Sequence, residues 1–185
     1  MVVFSVVPLG RTRSTIITEN KMVENSLNIF HYCLYKMHYN SHLFFNKINP
    51  LRLIHKLPFQ KRKYEELGID IDKEINKAFG DRRYGLSTVV AGGATVSILF
   101  LLMMALVFLT IKVAGSNLRL RPIHFVIAGL LSWTVCHFLV FKGDKYVRYF
   151  KAYDKWTKTE KMKYGWASFL FTLTAVVLFF WSLTL

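Results

Sequence analysis

The chain has 185 residues, enough for one domain or at most two small ones. Hydrophobic residues make up 53% of it and its mean hydropathy is +0.30, which is high for a soluble domain of this size. Lys and Arg exceed Asp and Glu by 25 to 11, and because these charges flank long apolar stretches they indicate an anionic membrane surface and exclude nucleic acid as the expected partner.

Residues 1–56 are rich in Asn, His, Tyr, Phe, Ile and Lys, without clean helical or strand periodicity. Seven Lys and Arg against Glu19 and Glu24 allow one interpretation, a targeting presequence. The favoured interpretation is translation from upstream of the true start, because every segment after Leu57 has a recognisable pattern. We therefore predict that residues 1–56 are a poorly structured or non-native extension, and leave open whether they belong to the mature protein.

Residues 57–86 form a predicted cytoplasmic juxtamembrane segment. Asp70 can cap a short helix there and Gly80 can end it. The apolar residues of this helix recur on one face: Leu67, Ile71, Ile75 and Phe79. That face could lie on the membrane or bind a partner, but packing on the loop between the second and third spans is favoured.

Residues 87–185 are predicted to form a three-helix transmembrane domain. The first span, 88–111, has no charge over 24 positions, and a rise of 1.5 Å per residue gives about 36 Å, enough to cross a hydrocarbon core of about 30 Å. The second span is 122–141, where Pro122 suits the first helical turn. The third is 165–185.

The distribution of Lys and Arg near the span ends predicts the orientation. Twelve lie in the segments before the first span and after the second, against three in the loop between those spans. Positive charge is enriched on the cytoplasmic side, so we expect the N-terminus inside and the C-terminus outside. The expected location is a cytoplasmic (inner) membrane, or an organelle inner membrane if residues 1–56 are a cleaved presequence.

Between the second and third spans, residues 144–160 predict a basic and aromatic interfacial helix. Its aromatic residues fall at helical spacing: Tyr146, Tyr149, Phe150, Tyr153 and Trp156. Cations lie between them: Arg148, Lys151 and Lys155. Rings at the headgroup boundary with cations reaching anionic lipid are typical of such helices. The predicted contact is anionic membrane lipid or a partner subunit, and the pattern does not choose between them.

Small residues inside the spans predict close helix packing. On the first span they are Gly92, Gly93 and Ser97; on the second, Ala128 and Ser132. His124 and His137 lie 13 residues apart on one helix, about 20 Å, so they cannot share a metal ion. The acidic residues of 70–74 lack the Gly and distal Glu of an EF-hand. We therefore predict no catalytic, cofactor-binding or metal-binding residues and no cofactor.

The sequence predicts an all-α integral membrane protein with three transmembrane helices, a juxtamembrane helix and an interfacial helix. The leading hypothesis for its function is a non-enzymatic accessory, adaptor or assembly subunit of a larger membrane complex, with a protein partner or a homo-oligomer expected. A small homo-oligomeric channel or transporter is the alternative. A membrane enzyme acting on lipid headgroups is the third hypothesis.

Overall fold

The computed structural model describes residues 13–50, 54–55, 57–114 and 121–184, with side chains described from Lys21 onward. The described part of the chain is 88% helical and contains no strand. The principal helices are α1 (Arg13–Ile48), α2 (Pro58–Glu66), α3 (Ile71–Gly80), α4 (Leu86–Val113), α5 (Pro122–Cys136), α6 (Lys145–Tyr153) and α7 (Lys158–Thr184).

Three of these helical segments are long and apolar enough to cross a membrane: α4, α7 and the continuous run 122–153 that contains α5. Only 17–22% of their most apolar windows is buried within the chain, so most of their apolar side chains lie on its surface. The predicted all-helical fold with three such helices is confirmed. α7 begins seven residues before the predicted third span. Its first two turns carry Lys and Glu, which a span defined by its apolar residues leaves out.

The first helix corrects the prediction made for residues 1–56. Over 13–48 this stretch is one continuous helix that contributes Leu27, Phe30, Tyr32 and Tyr35 to the buried core, so the prediction of poor structure is wrong there. Residues 1–12 lie outside the described part, and whether the mature protein retains the stretch stays a prediction. α1 contacts α4, α6 and α7. Because it has partners on several sides, it lacks the single apolar face by which a surface helix is recognised in a sequence.

α3 lies where the sequence pattern places it. Asp70 is its N-cap, and the Asp70 carboxylate accepts a hydrogen bond from the Lys73 N–H at 3.1 Å. The helix packs on α1 and α4, with the ring of Phe79 stacked on His42 of α1 at 3.6 Å. The expected packing of this segment on the loop between the second and third spans is replaced by packing on α1.

A sharp change of direction separates α5 from α6. Residues His137–Phe141 form a π-helical turn and Lys142–Asp144 a 3₁₀ turn. Gly143 has φ 68°, a left-handed conformation that glycine adopts without strain, and Asp144 follows it with φ 52°. The predicted interfacial helix 144–160 is therefore shorter in the structure, where α6 ends at Tyr153.

Candidate functional site

The described residues with the most specific contacts lie where α1 meets α4 and α6. Phe150 of α6 is fully buried at the centre of an aromatic cluster. Its ring centroid lies 4.9 Å from Tyr35, 5.3 Å from His31 and Tyr32, and 5.7 Å from Tyr146. These distances are those of favourable tilted and edge-to-face pairs, so the cluster fixes α6 against α1.

α1 presents a row of polar and aromatic side chains at alternating spacings of four and three residues, which we call the α1 stripe: Glu24, Asn28, His31, Tyr35, His38 and His42. Every member contacts another helix or turn of the chain. Asn28 Nδ2 donates to the Leu139 carbonyl at 3.0 Å, and the Tyr35 hydroxyl donates to the Gly80 carbonyl at 2.7 Å. The heptad-like spacing keeps the stripe on one side of the helix.

His31 is the most buried titratable member of the α1 stripe. Its Nδ1 lies 3.3 Å from Thr95 Oγ1, and the Thr95 hydroxyl donates to the Ala91 carbonyl at 2.7 Å. Because the threonine hydrogen is used there, His31 Nδ1–H must be the donor in the first bond. Burial lowers the pKa of His31 to about 4, so this imidazole is neutral at physiological pH.

Asp154, just after α6, joins α1 to the segment before α4. It accepts hydrogen bonds from the Tyr32 hydroxyl at 2.9 Å and Lys36 Nζ at 2.8 Å, and its other oxygen pairs with Arg82. Partial burial opposes ionisation, but the bonds from Lys36 and Tyr32 and the nearby positive charges outweigh it. The pKa of Asp154 is therefore lowered, and the carboxylate stays charged.

Glu24 forms a second ionic contact at the other end of α6. Its carboxylate accepts from Lys145 Nζ at 2.8 Å and from the Tyr149 hydroxyl at 3.1 Å. The hydrogen bond from Lys145 is the main cause of the lowered pKa of Glu24. Beside it, the Tyr153 hydroxyl donates to the Asn25 side-chain oxygen at 2.7 Å. α6 is thus held to α1 at both ends.

The aromatic residues predicted to contact lipid or a partner face inward. Tyr146, Phe150 and Tyr153 are buried, and Tyr149 and Trp156 are half-buried. The chain's own α1 occupies this aromatic face, which corrects the prediction for that half of the set. The predicted cations are exposed, and their contact with lipid or a partner stays a prediction: Arg148, Lys151 and Lys155.

The predicted helix-packing residues divide into two groups. Gly92, Ala128 and Ser132 are buried, and a Cβ at Gly92 would lie 3.4 Å from the Phe141 ring. Gly93 and Ser97 are exposed, and a Cβ at Gly93 would meet no atom within 4 Å. The i+4 spacing of these two residues suits packing, but the pair lies away from the buried face of α4.

One histidine–serine contact among the described residues is part of the packing of α1 against α4. His38 Nδ1 lies 3.0 Å from Ser87 Oγ, a nucleophile–base distance, but Ser87 is fully buried and no substrate reaches it. Among the residues with described side chains, no cluster of three His, Cys, Asp or Glu could hold a metal ion. Cys33 and Cys136 are free thiols.

No protein-family model matches the chain, and no curated protein or solved structure is significantly similar to it. The function must therefore be argued from the residues themselves. The α1 stripe was not predicted from the sequence, because its members are mostly polar and a hydrophobicity pattern does not detect them. The detectable signal was the spacing of the histidines, tyrosine, asparagine and glutamate over residues 24–42.

Proposed function

We propose that the chain is a multi-pass protein of a cytoplasmic membrane, with its N-terminus inside and its C-terminus outside. In that membrane it acts as a non-enzymatic accessory, adaptor or assembly subunit of a larger complex. The apolarity of α4, α7 and the 122–153 run supports the membrane location. The asymmetry of Lys and Arg around them supports the orientation.

The observation that carries the subunit proposal is a group of exposed apolar side chains outside those three helical segments. They lie at the C-terminal end of α1, on α2 and in the turn before α3: Phe44, Phe45, Ile48, Phe59 and Leu67, each 59–66% exposed. Scattered apolar residues are normal on a surface, but several large ones in neighbouring segments are typical of an interaction site.

The charge of the segment around Leu67 favours a protein partner over the membrane surface. Residues 65–81 contain six of the chain's eleven carboxylates and two lysines, a net charge of −4. An anionic lipid surface repels such a segment, whereas the cationic segment 145–163, at +5, is attracted to it. We therefore expect the partner to present a basic surface with apolar residues.

Site-specific photo-crosslinking in the native membrane tests this proposal. A photoreactive amino acid at Leu67 should capture one protein in near-stoichiometric yield, and the same group at exposed Leu170 of α7 should not. The purified partner should then bind the wild-type chain more tightly than the Glu66→Gln variant. Thr159→Lys, which adds the same unit of charge on α7, should leave binding unchanged.

Two results would overturn the proposal. Capture of a second copy of this chain at Leu67 would favour the homo-oligomeric channel, and capture of lipid alone would place this region on the membrane. The orientation is tested separately with a reporter that is active only in the cytoplasm, fused after Leu185. Activity of this reporter would contradict the proposed orientation.

A further inference from the structure

A groove of about 380 Å³ runs between α1 and α7. Val23, Leu27 and Phe30 of α1 and Ala167 and Phe171 of α7 form much of its wall. Its two serine hydroxyls are already engaged, since Ser26 Oγ donates to the Met22 carbonyl at 3.0 Å and Ser168 is hydrogen-bonded to Cys33. The groove therefore offers mainly apolar contact to an occupant.

The position of the groove along α7 indicates which kind of apolar molecule enters it. Its α7 wall extends from Tyr164 to Phe171, about 10 Å at 1.5 Å per residue. The last charge of α7 is Lys163, and no charged residue follows it to the end of the chain. Trp166 and Leu170, beside the groove, are more than half exposed. The wall thus begins where the polar residues of α7 stop and continues into its apolar part.

The size of the groove suits part of one hydrocarbon chain. An apolar cavity of about 150 Å³ holds one benzene ring, so 380 Å³ holds the volume of about two and a half such rings. That volume accommodates a segment of an acyl chain but not a protein helix, whose diameter with side chains is about 10 Å.

Positive charge lies at the polar end of the groove. Lys163 Nζ is 5.9 Å from the centre of the Tyr164 ring, which lines this end. A cation next to an apolar slot complements a molecule with an anionic head and a hydrocarbon tail.

We propose that the groove between α1 and α7 binds an acyl chain of an anionic phospholipid, whose phosphate lies against Lys163. The bound chain fills the space that α1 and α7 leave between them and so acts as part of the packing of the two helices. This site is separate from the cations of α6 and from the partner surface at residues 65–81. Its test uses purified protein and does not depend on any partner.

The experiment places purified protein in bilayer nanodiscs containing phosphatidylglycerol with a photoreactive diazirine in its acyl chain. Trypsin cleavage after Lys21 and Lys36 releases the α1 wall as peptide 22–36, and cleavage after Lys163 releases the α7 wall. We expect lipid adducts on 22–36, which lies outside the three membrane-crossing segments. Phosphatidylcholine with the same chain should label this peptide several-fold less.

Two pairs of variants separate the groove from ordinary contact with the bilayer. Ala167→Trp fills the groove and should lower labelling of peptide 22–36 about tenfold by replacing the apolar contact, whereas Leu170→Trp, on the exposed face, should not. Lys163→Gln should lower phosphatidylglycerol labelling about fivefold, from about 1 kcal/mol per cation near an anionic lipid. Lys63→Gln on α2 should have no effect.

Equal labelling by the two lipids would overturn the proposal, as would labelling of 22–36 that Ala167→Trp leaves unchanged. An unchanged melting temperature of the Ala167→Trp variant would show that reduced labelling reflects a filled groove. If that variant does not fold, the pair Lys163→Gln and Lys63→Gln still decides, because neither side chain is buried.

Discussion

Truncating Phe150 should release α1 from the rest of the chain. The Phe150→Ala variant leaves a cavity among four aromatic rings of α1 and α6. Removal of a fully buried phenylalanine costs about 3–5 kcal/mol. Because 1.4 kcal/mol corresponds to a factor of ten, a loss of about 3 kcal/mol from the docking of α1 raises its undocked population about 100-fold.

Cys33 provides the assay, because it lies on α1 and its thiol is partly buried against Ser168 of α7. Burial raises the pKa of this thiol, which slows its reaction with maleimide while α1 is docked. We expect Cys33 labelling, followed by peptide mass spectrometry, to accelerate up to about 100-fold in Phe150→Ala. Cys136, fully buried near the end of α5, should remain protected.

Phe169→Ala is the matched control, since Phe169 lies on the exposed face of α7 and its loss leaves no internal cavity. Its Cys33 labelling should stay within about threefold of wild type, the range of surface substitutions. If Phe150→Ala also stayed within that range, α1 would not be docked as described. Equal acceleration at Cys136 would show that the whole bundle opens and that α1 is not a separable layer.

Three further predictions follow from contacts of single residues. Asp154→Asn should lower the free energy of unfolding by about 2 kcal/mol. Since the pKa of Asp154 is lowered on folding, the thermal stability of the wild type should decline below about pH 4, and that of the variant should decline less. Gly93→Ala should raise the melting temperature, gaining about 0.5–1 kcal/mol, because the added methyl meets open space, whereas Gly92→Leu should lower it by collision with Phe141. Asp70→Ala should remove about 1 kcal/mol from α3, measurable as faster amide exchange there alone.

The sequence was sufficient to predict the three apolar helical segments, because long uncharged stretches have few alternative structures. It was also sufficient for α3, where a capping aspartate and four apolar residues agree. It was insufficient for α1, because a helix surrounded by partners and joined to them through Glu24, Asn28 and His31 has no continuous apolar face. Its partners lie 37 to 141 residues away along the chain, beyond the reach of local patterns.

The aromatic face of α6 shows the same limit of local sequence patterns. Its spacing correctly indicated a helix with one aromatic face, but the pattern holds no information on whether lipid, another subunit or the chain itself covers that face. The glycine pair on α4 shows a similar limit. Gly92 and Gly93 are neighbours in sequence, yet one faces Phe141 and the other faces open space, and only the position of the π-helical turn after α5 distinguishes them.

The long-range contacts of α1 have a consequence for biogenesis. Asn28 of α1 donates a hydrogen bond to the Leu139 carbonyl, in the π-helical turn after α5. α1 precedes its partners on the ribosome: they extend to Phe171, about 130 residues after His42. At about 5–20 residues per second, α1 waits roughly 6 to 26 s before its last docking surface is made. α1 is therefore complete well before its last contacts can form, and in that interval the aromatic side chains that face those later partners have no cover from the chain itself.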